Sequence, residues 1–153
     1  MVEELKIRIA DYEKIESDLT RRGAKFSGEL HVIDTYFKQP AGEVLKITED
    51  DTGDFLVNLK SKNGKFEIAR YERVVEAREL KDKLARELGV KCVLKKKRRF
   101  WKLDGISLNI NLIEGVGEFL IVEGERLSPD VITEKLKIKK PEFVTVSFDE
   151  LKR

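Results

Sequence analysis

Leu94-Lys95-Lys96-Lys97-Arg98-Arg99-Phe100-Trp101 sets five consecutive cations between apolar residues, in a segment that otherwise reads as a β-strand. Successive side chains of a strand leave opposite faces, so Lys96 and Arg98 share one face while Lys95, Lys97 and Arg99 share the other. A strand that only had to be soluble on its outer side would keep its inner side for Val, Ile or Leu. Cations on the inner side point to a ligand, and to an anionic one.

Other segments repeat the pattern. Glu4-Leu5-Lys6-Ile7-Arg8-Ile9 alternates strictly, with Glu4, Lys6 and Arg8 on one face and a packable apolar face opposite. Leu45-Lys46-Ile47-Thr48 does so weakly, Leu56-Val57-Asn58-Leu59-Lys60 carries Asn58 and Lys60 together, and Arg70-Tyr71-Glu72-Arg73 puts Arg70 beside Glu72. The plain alternative is that these are the solvated faces of an ordinary antiparallel sheet.

Strands are predicted over 2–9, 30–38, 43–48, 55–61, 66–76, 91–103, 106–114 and 118–125. The Asn63-Gly64 and Asp104-Gly105 pairs mark tight turns between them. A first helix runs from an Asp11 cap to a stop at Gly23, and a second covers about 77–88 with Leu80, Leu84 and Leu88 on one face. Ser128-Pro129 opens a third helix that ends near Leu136. Of the adjacent aromatics Tyr36 and Phe37, Phe37 is expected to pack and Tyr36 to face the other way. Eight short, mainly antiparallel strands with few helices can close into a barrel, so the expected fold is α+β: an eight-stranded, mainly antiparallel closed β-barrel, or tunnel, with flanking helices.

At 153 residues the chain reads as one domain, residues 1–153. A net charge of +2 supplies no global pull toward nucleic acid or membrane. The single Cys92 excludes an intrachain disulfide framework, and with His31 as the one histidine a His/Cys zinc site cannot be assembled. There is no run of about 18 apolar residues for a membrane span, and the start lacks a signal-peptide pattern. A cytoplasmic location is expected.

The order of motifs across nearly the whole chain resembles the CYTH domain of the triphosphate tunnel metalloenzymes, the superfamily of class IV adenylate cyclases, thiamine triphosphatases and inorganic tripolyphosphatases. Val2-Glu3-Glu4-Leu5-Lys6 is similar to its opening Glu-x-Glu-x-Lys, Asp34-Thr35-Tyr36-Phe37 to its Asp-x-Tyr-Phe, and Asn58-Leu59-Lys60 to its Thr-x-Lys. Arg70-Tyr71-Glu72-Arg73-Val74 resembles Arg-x-Glu-x-Glu, and Lys96-Lys97-Arg98 resembles the Lys-x-Arg strand. Glu114-Gly115-Val116-Gly117-Glu118-Phe119-Leu120-Ile121-Val122-Glu123 is similar to Glu-Gly-Leu-Gly-x-Phe-x-Glu-x-Glu, and Ser147-Phe148-Asp149-Glu150-Leu151 to Ser-Tyr-x-Glu-Leu.

The resemblance implies a tunnel that binds a small-molecule triphosphate or polyphosphate through Lys6, Arg8, Lys46, Lys60, Arg70, Lys96 and Arg98. It implies Mg²⁺ or Mn²⁺ held by Glu4, Glu72 and Glu123, and either phosphohydrolase or adenylate cyclase chemistry. Where the pattern carries acids this chain has Val2, Val74, Asn111 and Ile121, and Thr48 stands in place of an Arg. A reduced acidic set supports anion binding better than two-metal catalysis, so a non-catalytic polyphosphate-binding module is the alternative. Single-stranded nucleic acid is the least favoured ligand, because only Phe100, Trp101 and Tyr71 would supply stacking aromatics.

Overall fold

The computed structural model describes residues 2–152. The elements in order are β1 (Glu3–Ile9), α1 (Tyr12–Arg21), β2 (Lys25–Phe37), β3 (Glu43–Asp50), β4 (Gly53–Lys62), β5 (Lys65–Arg73), α2 (Ala77–Glu87), β6 (Val90–Leu103), β7 (Ile106–Ile113), β8 (Gly117–Gly124), α3 (Pro129–Leu136), β9 (Glu142–Val144) and α4 (Phe148–Leu151). Strands β5-β4-β3-β2-β6-β7-β8-β1 form a continuous antiparallel sheet, and pairing of β5 with β1 closes it into an eight-stranded barrel. The ninth strand, β9, pairs with Lys6 to Arg8 of β1. The expected tunnel fold is therefore the observed one.

Helices pack on two sectors of the outer wall and so decide which side chains turn inward. Leu5 and Ile7 of β1, Leu108 and Ile110 of β7 and Leu120 and Val122 of β8 form a core with Leu19 of α1 and Ile132 and Leu136 of α3. On another sector, Phe37, Leu45, Ile47 and Leu56 pack against Ala77, Leu80 and Leu84 of α2. Phe37 is buried there as expected, which turns Tyr36 toward the barrel interior.

Three differences from the sequence reading have local causes. Strand β2 begins at Lys25 rather than 30, because the register shift between Phe26 and Gly28 lets the strand continue and carry Phe26 onto Trp101 at 5.3 Å. Gly28 sits there at φ +141°, a conformation that a side chain would strain. The short elements β9 and α4 have three and four residues, too few to show a period.

Candidate functional site

The barrel interior is a cavity of about 570 Å³. Its cations are Lys6 from β1, Lys46 from β3, and Lys96 and Arg98 from β6. Its carboxylates are Glu4, Asp34, Asp50 and Glu123. The cationic strand behaves as its alternation dictates: Lys96 and Arg98 point inward, while outside the barrel Arg99 meets Glu16 and Glu29, each at 2.8 Å. One end is closed by the short α4, whose Phe148 lies 4.8 Å from Phe119 and beneath the Lys6 ammonium. At the other end Thr52 and Tyr71 reach solvent.

Asp34 organises the middle of the cavity. It is 1% exposed and its Oδ2 accepts from Lys46 Nζ at 2.8 Å and lies 2.6 Å from Lys96 Nζ, while Oδ1 accepts from the Thr48 hydroxyl at 2.5 Å. Burial alone would raise its carboxyl, but the two ammonium groups hold it well below the usual carboxylate range. Lys96 also donates to the Tyr36 hydroxyl at 2.9 Å. Burial brings the Lys96 ammonium down to about 7, since Asp34 is shared with Lys46 and cannot fully compensate. Lys6, 2% exposed between the rings of Phe66 and Phe148 at 3.9 and 4.2 Å, is lowered to about 8, again by burial first. Aromatic faces partly replace the water that these ammonium groups lose.

Arg98 carries a buried donor that no described residue engages. Its Nη2 lies 3.6 Å from Glu123 Oε1, yet its buried Nε has no hydrogen-bond partner among the described residues. A buried guanidinium nitrogen without an acceptor favours an incoming oxygen anion.

Glu4 and Glu123 face each other across β1 and β8. Burial, and then the negative charge of Glu4, raise the Glu123 carboxyl above its ordinary value. Asn109 donates to Glu123 Oε1 at 3.1 Å and in turn accepts from Asn111. Two carboxylates that repel one another fit one hard divalent cation, which would relieve the repulsion and take its other ligands from water and phosphate oxygens. Among the described residues no group of three or more His, Cys, Asp or Glu gathers around a common point.

Of the residues expected in the site, the structure brings together Glu4, Lys6, Lys46, Lys96, Arg98 and Glu123. Four lie outside the cavity. Arg8 is on the inward face of β1 but beyond the closed end, stacked on Phe119 at 5.0 Å and 3.5 Å from Glu142. Lys60 is exposed because Leu56, on its own face of β4, is held against α2, which turns Phe55, Val57 and Leu59 inward instead. Arg70 and Glu72 are turned out by a β-bulge: Asn58 pairs with Arg70 and Leu59 with Ile68, leaving Ala69 between them. That extra residue reverses the alternation, so Ile68 and Tyr71 line the cavity while Arg70 and Glu72 pair with each other at 3.2 Å outside. The assignment of these side chains to the interior is corrected accordingly. The reading also missed Asp34 and Asp50. Asp34 lay in the Asp-x-Tyr-Phe motif, but an acid among expected phosphate-binding cations gave no reason to place it at their centre.

The family model of the CYTH domain matches residues 2–146. The chain belongs to the CYTH domain family. Over 97% of its length it is 30% identical to a Methanocaldococcus jannaschii protein provisionally named an adenylate cyclase, and it covers 97% of that relative. The CYTH barrel seen here superposes on a Pyrococcus horikoshii OT3 protein with a TM-score of 0.84 at 23% identity, covering 100% of both chains. It also matches a Hippeastrum protein, provisionally named an adenylyl cyclase and described as having a dominant triphosphatase activity. That match has a TM-score of 0.61 at 15% identity and covers 90% of this chain and 85% of that one. Likenesses this distant show a shared fold.

Proposed function

We propose that the barrel cavity binds a triphosphate-containing anion together with one divalent cation, and hydrolyses a phosphoanhydride bond. The carrying observation is the convergence of Lys6, Lys46, Lys96 and Arg98 in one cavity, with the Arg98 Nε lacking an acceptor among the described residues. Phosphate oxygens accept from several such donors at once, with Arg supplying directional contacts and Lys compact charges. Membership of a family whose relatives carry cyclase and triphosphatase names supports the same substrate class.

In the hydrolysis, water attacks a phosphorus atom and gives up a proton to a phosphate oxygen, the anhydride P–O bond breaks, and the leaving phosphate takes up negative charge. Lys6, Lys96 and Arg98 stabilise that charge by fixed proximity. Tyr36 and Asp34 keep Lys96 in place, and Phe148 closes the far end against water. Glu4 and Glu123 would hold Mg²⁺ or Mn²⁺, which when bound supplies Lewis-acid polarisation of the phosphoryl oxygens.

A second reading, binding without turnover, is favoured by the small acidic set: Val2 and Ile121 line the cavity where the family pattern carries acids. A screen with tripolyphosphate, thiamine triphosphate and ATP, with and without Mg²⁺ or Mn²⁺, separates the two. Metal-dependent release of orthophosphate supports hydrolysis, and diphosphate with a cyclic nucleotide from ATP would mean cyclisation. Binding with no product from any substrate would leave a binding module.

A further inference from the structure

A second cavity, of about 810 Å³, lies outside the barrel between α1 and the loop 137–141 that joins α3 to β9. Its floor is apolar: Ile9 of β1, Ile15 and Leu19 of α1, Leu120 of β8, Leu136 of α3 and Ile138. Ile9, Ile15 and Ile138 remain partly exposed there. Its size is that of a small-molecule site, which commonly spans about 300 to 1,000 Å³.

The rim is cationic. Arg8, Lys14, Arg22, Lys137, Lys139 and Lys140 share the lining with three carboxylates, Asp11, Asp18 and Glu142. Each carboxylate is already engaged: the Asp11 side chain accepts from the Lys14 amide at 3.3 Å, Asp18 pairs with Arg21, and Glu142 lies 3.5 Å from Arg8. Arg22 is taken up by the end of α3, donating to the Leu136 carbonyl at 2.6 Å and to that of Lys135. Among the described residues no carboxylate pairs with the ammonium groups of Lys14, Lys137, Lys139 or Lys140. Lys137 and Lys140 also sit at φ +52° and +50°, left-handed backbone that glycine would hold with less strain. Lysine at both strained positions favours a role for the charge.

Floor and rim together narrow the ligand. A bare phosphate would satisfy the lysines and leave the isoleucines in water. Single-stranded nucleic acid would find no aromatic side chain in the lining to stack on. A bilayer surface takes up apolar side chains that project from a protein, whereas here the exposed groups are lysines and the apolar ones lie below them. A molecule with an anionic head and a hydrocarbon chain matches both parts.

We propose that this outer cleft binds an amphiphilic anion, a phosphate or carboxylate head on a single hydrocarbon chain. The head meets Lys14, Lys137, Lys139 and Lys140, and the chain lies against Ile9, Ile15 and Ile138. Among the described residues none lines both this cleft and the barrel cavity, so the two sites fill independently.

The test is calorimetric titration of hexyl, octyl and decyl phosphate, below their micelle concentrations, with inorganic phosphate and decyl maltoside as the head and the chain alone. Wild type should bind more tightly by roughly 3- to 15-fold for each added pair of methylenes, and should bind decyl phosphate about 10-fold or more tighter than either control. Lys139→Glu/Lys140→Glu, both exposed positions, should weaken decyl phosphate roughly 10-fold. Lys46→Ala/Lys96→Ala, which alters only the barrel cavity, should move decyl phosphate less than about twofold. Affinity independent of chain length, decyl maltoside binding as tightly as decyl phosphate, or no change in the Lys139→Glu/Lys140→Glu variant would overturn the site. Loss of decyl phosphate from the barrel variant instead would put the ligand inside the barrel and overturn it too. A sedimentation arm with vesicles of equal phosphatidylglycerol and phosphatidylcholine separates the sources: binding to vesicles but to no monomeric alkyl phosphate would mean surface docking and contradict the cleft.

Discussion

Raising the pH from 7 to 9 should weaken tripolyphosphate binding, although the ligand itself only gains negative charge over that range. The cause is Lys96, whose ammonium is lowered to about 7 in the free protein. If the bound phosphate keeps Lys96 charged, affinity scales with the protonated fraction of the free protein, which falls from about one half to about one hundredth, so Lys96 alone costs about 50-fold. Lys6, lowered to about 8, adds in the same direction. Calorimetry in two buffers of different ionisation enthalpy should count an uptake by Lys96 of about half a proton at pH 7, rising to about one at pH 9. Lys96→Met should bind more weakly at pH 7 and show a shallower pH profile. Affinity that rises between pH 7 and 9, or binding with no proton uptake, would refute the reasoning. Without ligand the sign reverses: the unfolded chain takes up a proton on this lysine between about pH 7 and its ordinary 10.5, so its contribution to stability rises with pH across that window.

Arg98→Ala should lose about 1.5 to 3 kcal/mol of tripolyphosphate affinity by calorimetry, whereas Arg99→Ala, which removes an outer-surface pairing, should lose less than about 1 kcal/mol. Asp34→Ala leaves Lys46, Lys96 and the Thr48 hydroxyl without their shared acceptor and should lower the free energy of urea unfolding by about 3 to 5 kcal/mol. Ile121→Glu, on the inward face of β8 that carries Glu123, adds a third carboxylate to the Glu4 and Glu123 pair, and phosphate release by that variant should rise only when Mg²⁺ is present.

Alternation placed Lys96 and Arg98 inside correctly because β6 runs without a register shift through that stretch and Trp101, on the opposite face, is buried in the outer core. It failed on β5, where one unpaired residue, Ala69, exchanges the two faces and no glycine or proline marks the bulge. It failed on β4 for a different reason. Both faces of Leu56-Val57-Asn58-Leu59-Lys60 carry apolar residues, and the packing of α2, a tertiary event, selects Leu56 for the outside. The eight strands and the barrel were legible because turn pairs such as Asn63-Gly64 punctuate them. The Asp34 cluster was not, because Asp34, Lys46 and Lys96 come from three strands and meet only when register is fixed.

One comparison places the anion: tripolyphosphate binding by calorimetry to Lys46→Ala/Lys96→Ala against Lys60→Ala/Arg70→Ala. Each pair removes two lysine or arginine side chains, but the first removes them from the cavity and the second from the outer surface. The first should lose most measurable binding at neutral pH, and the second should stay within about 1 kcal/mol of wild type. Equal losses, or a larger loss from the outer pair, would contradict a triphosphate site inside the barrel.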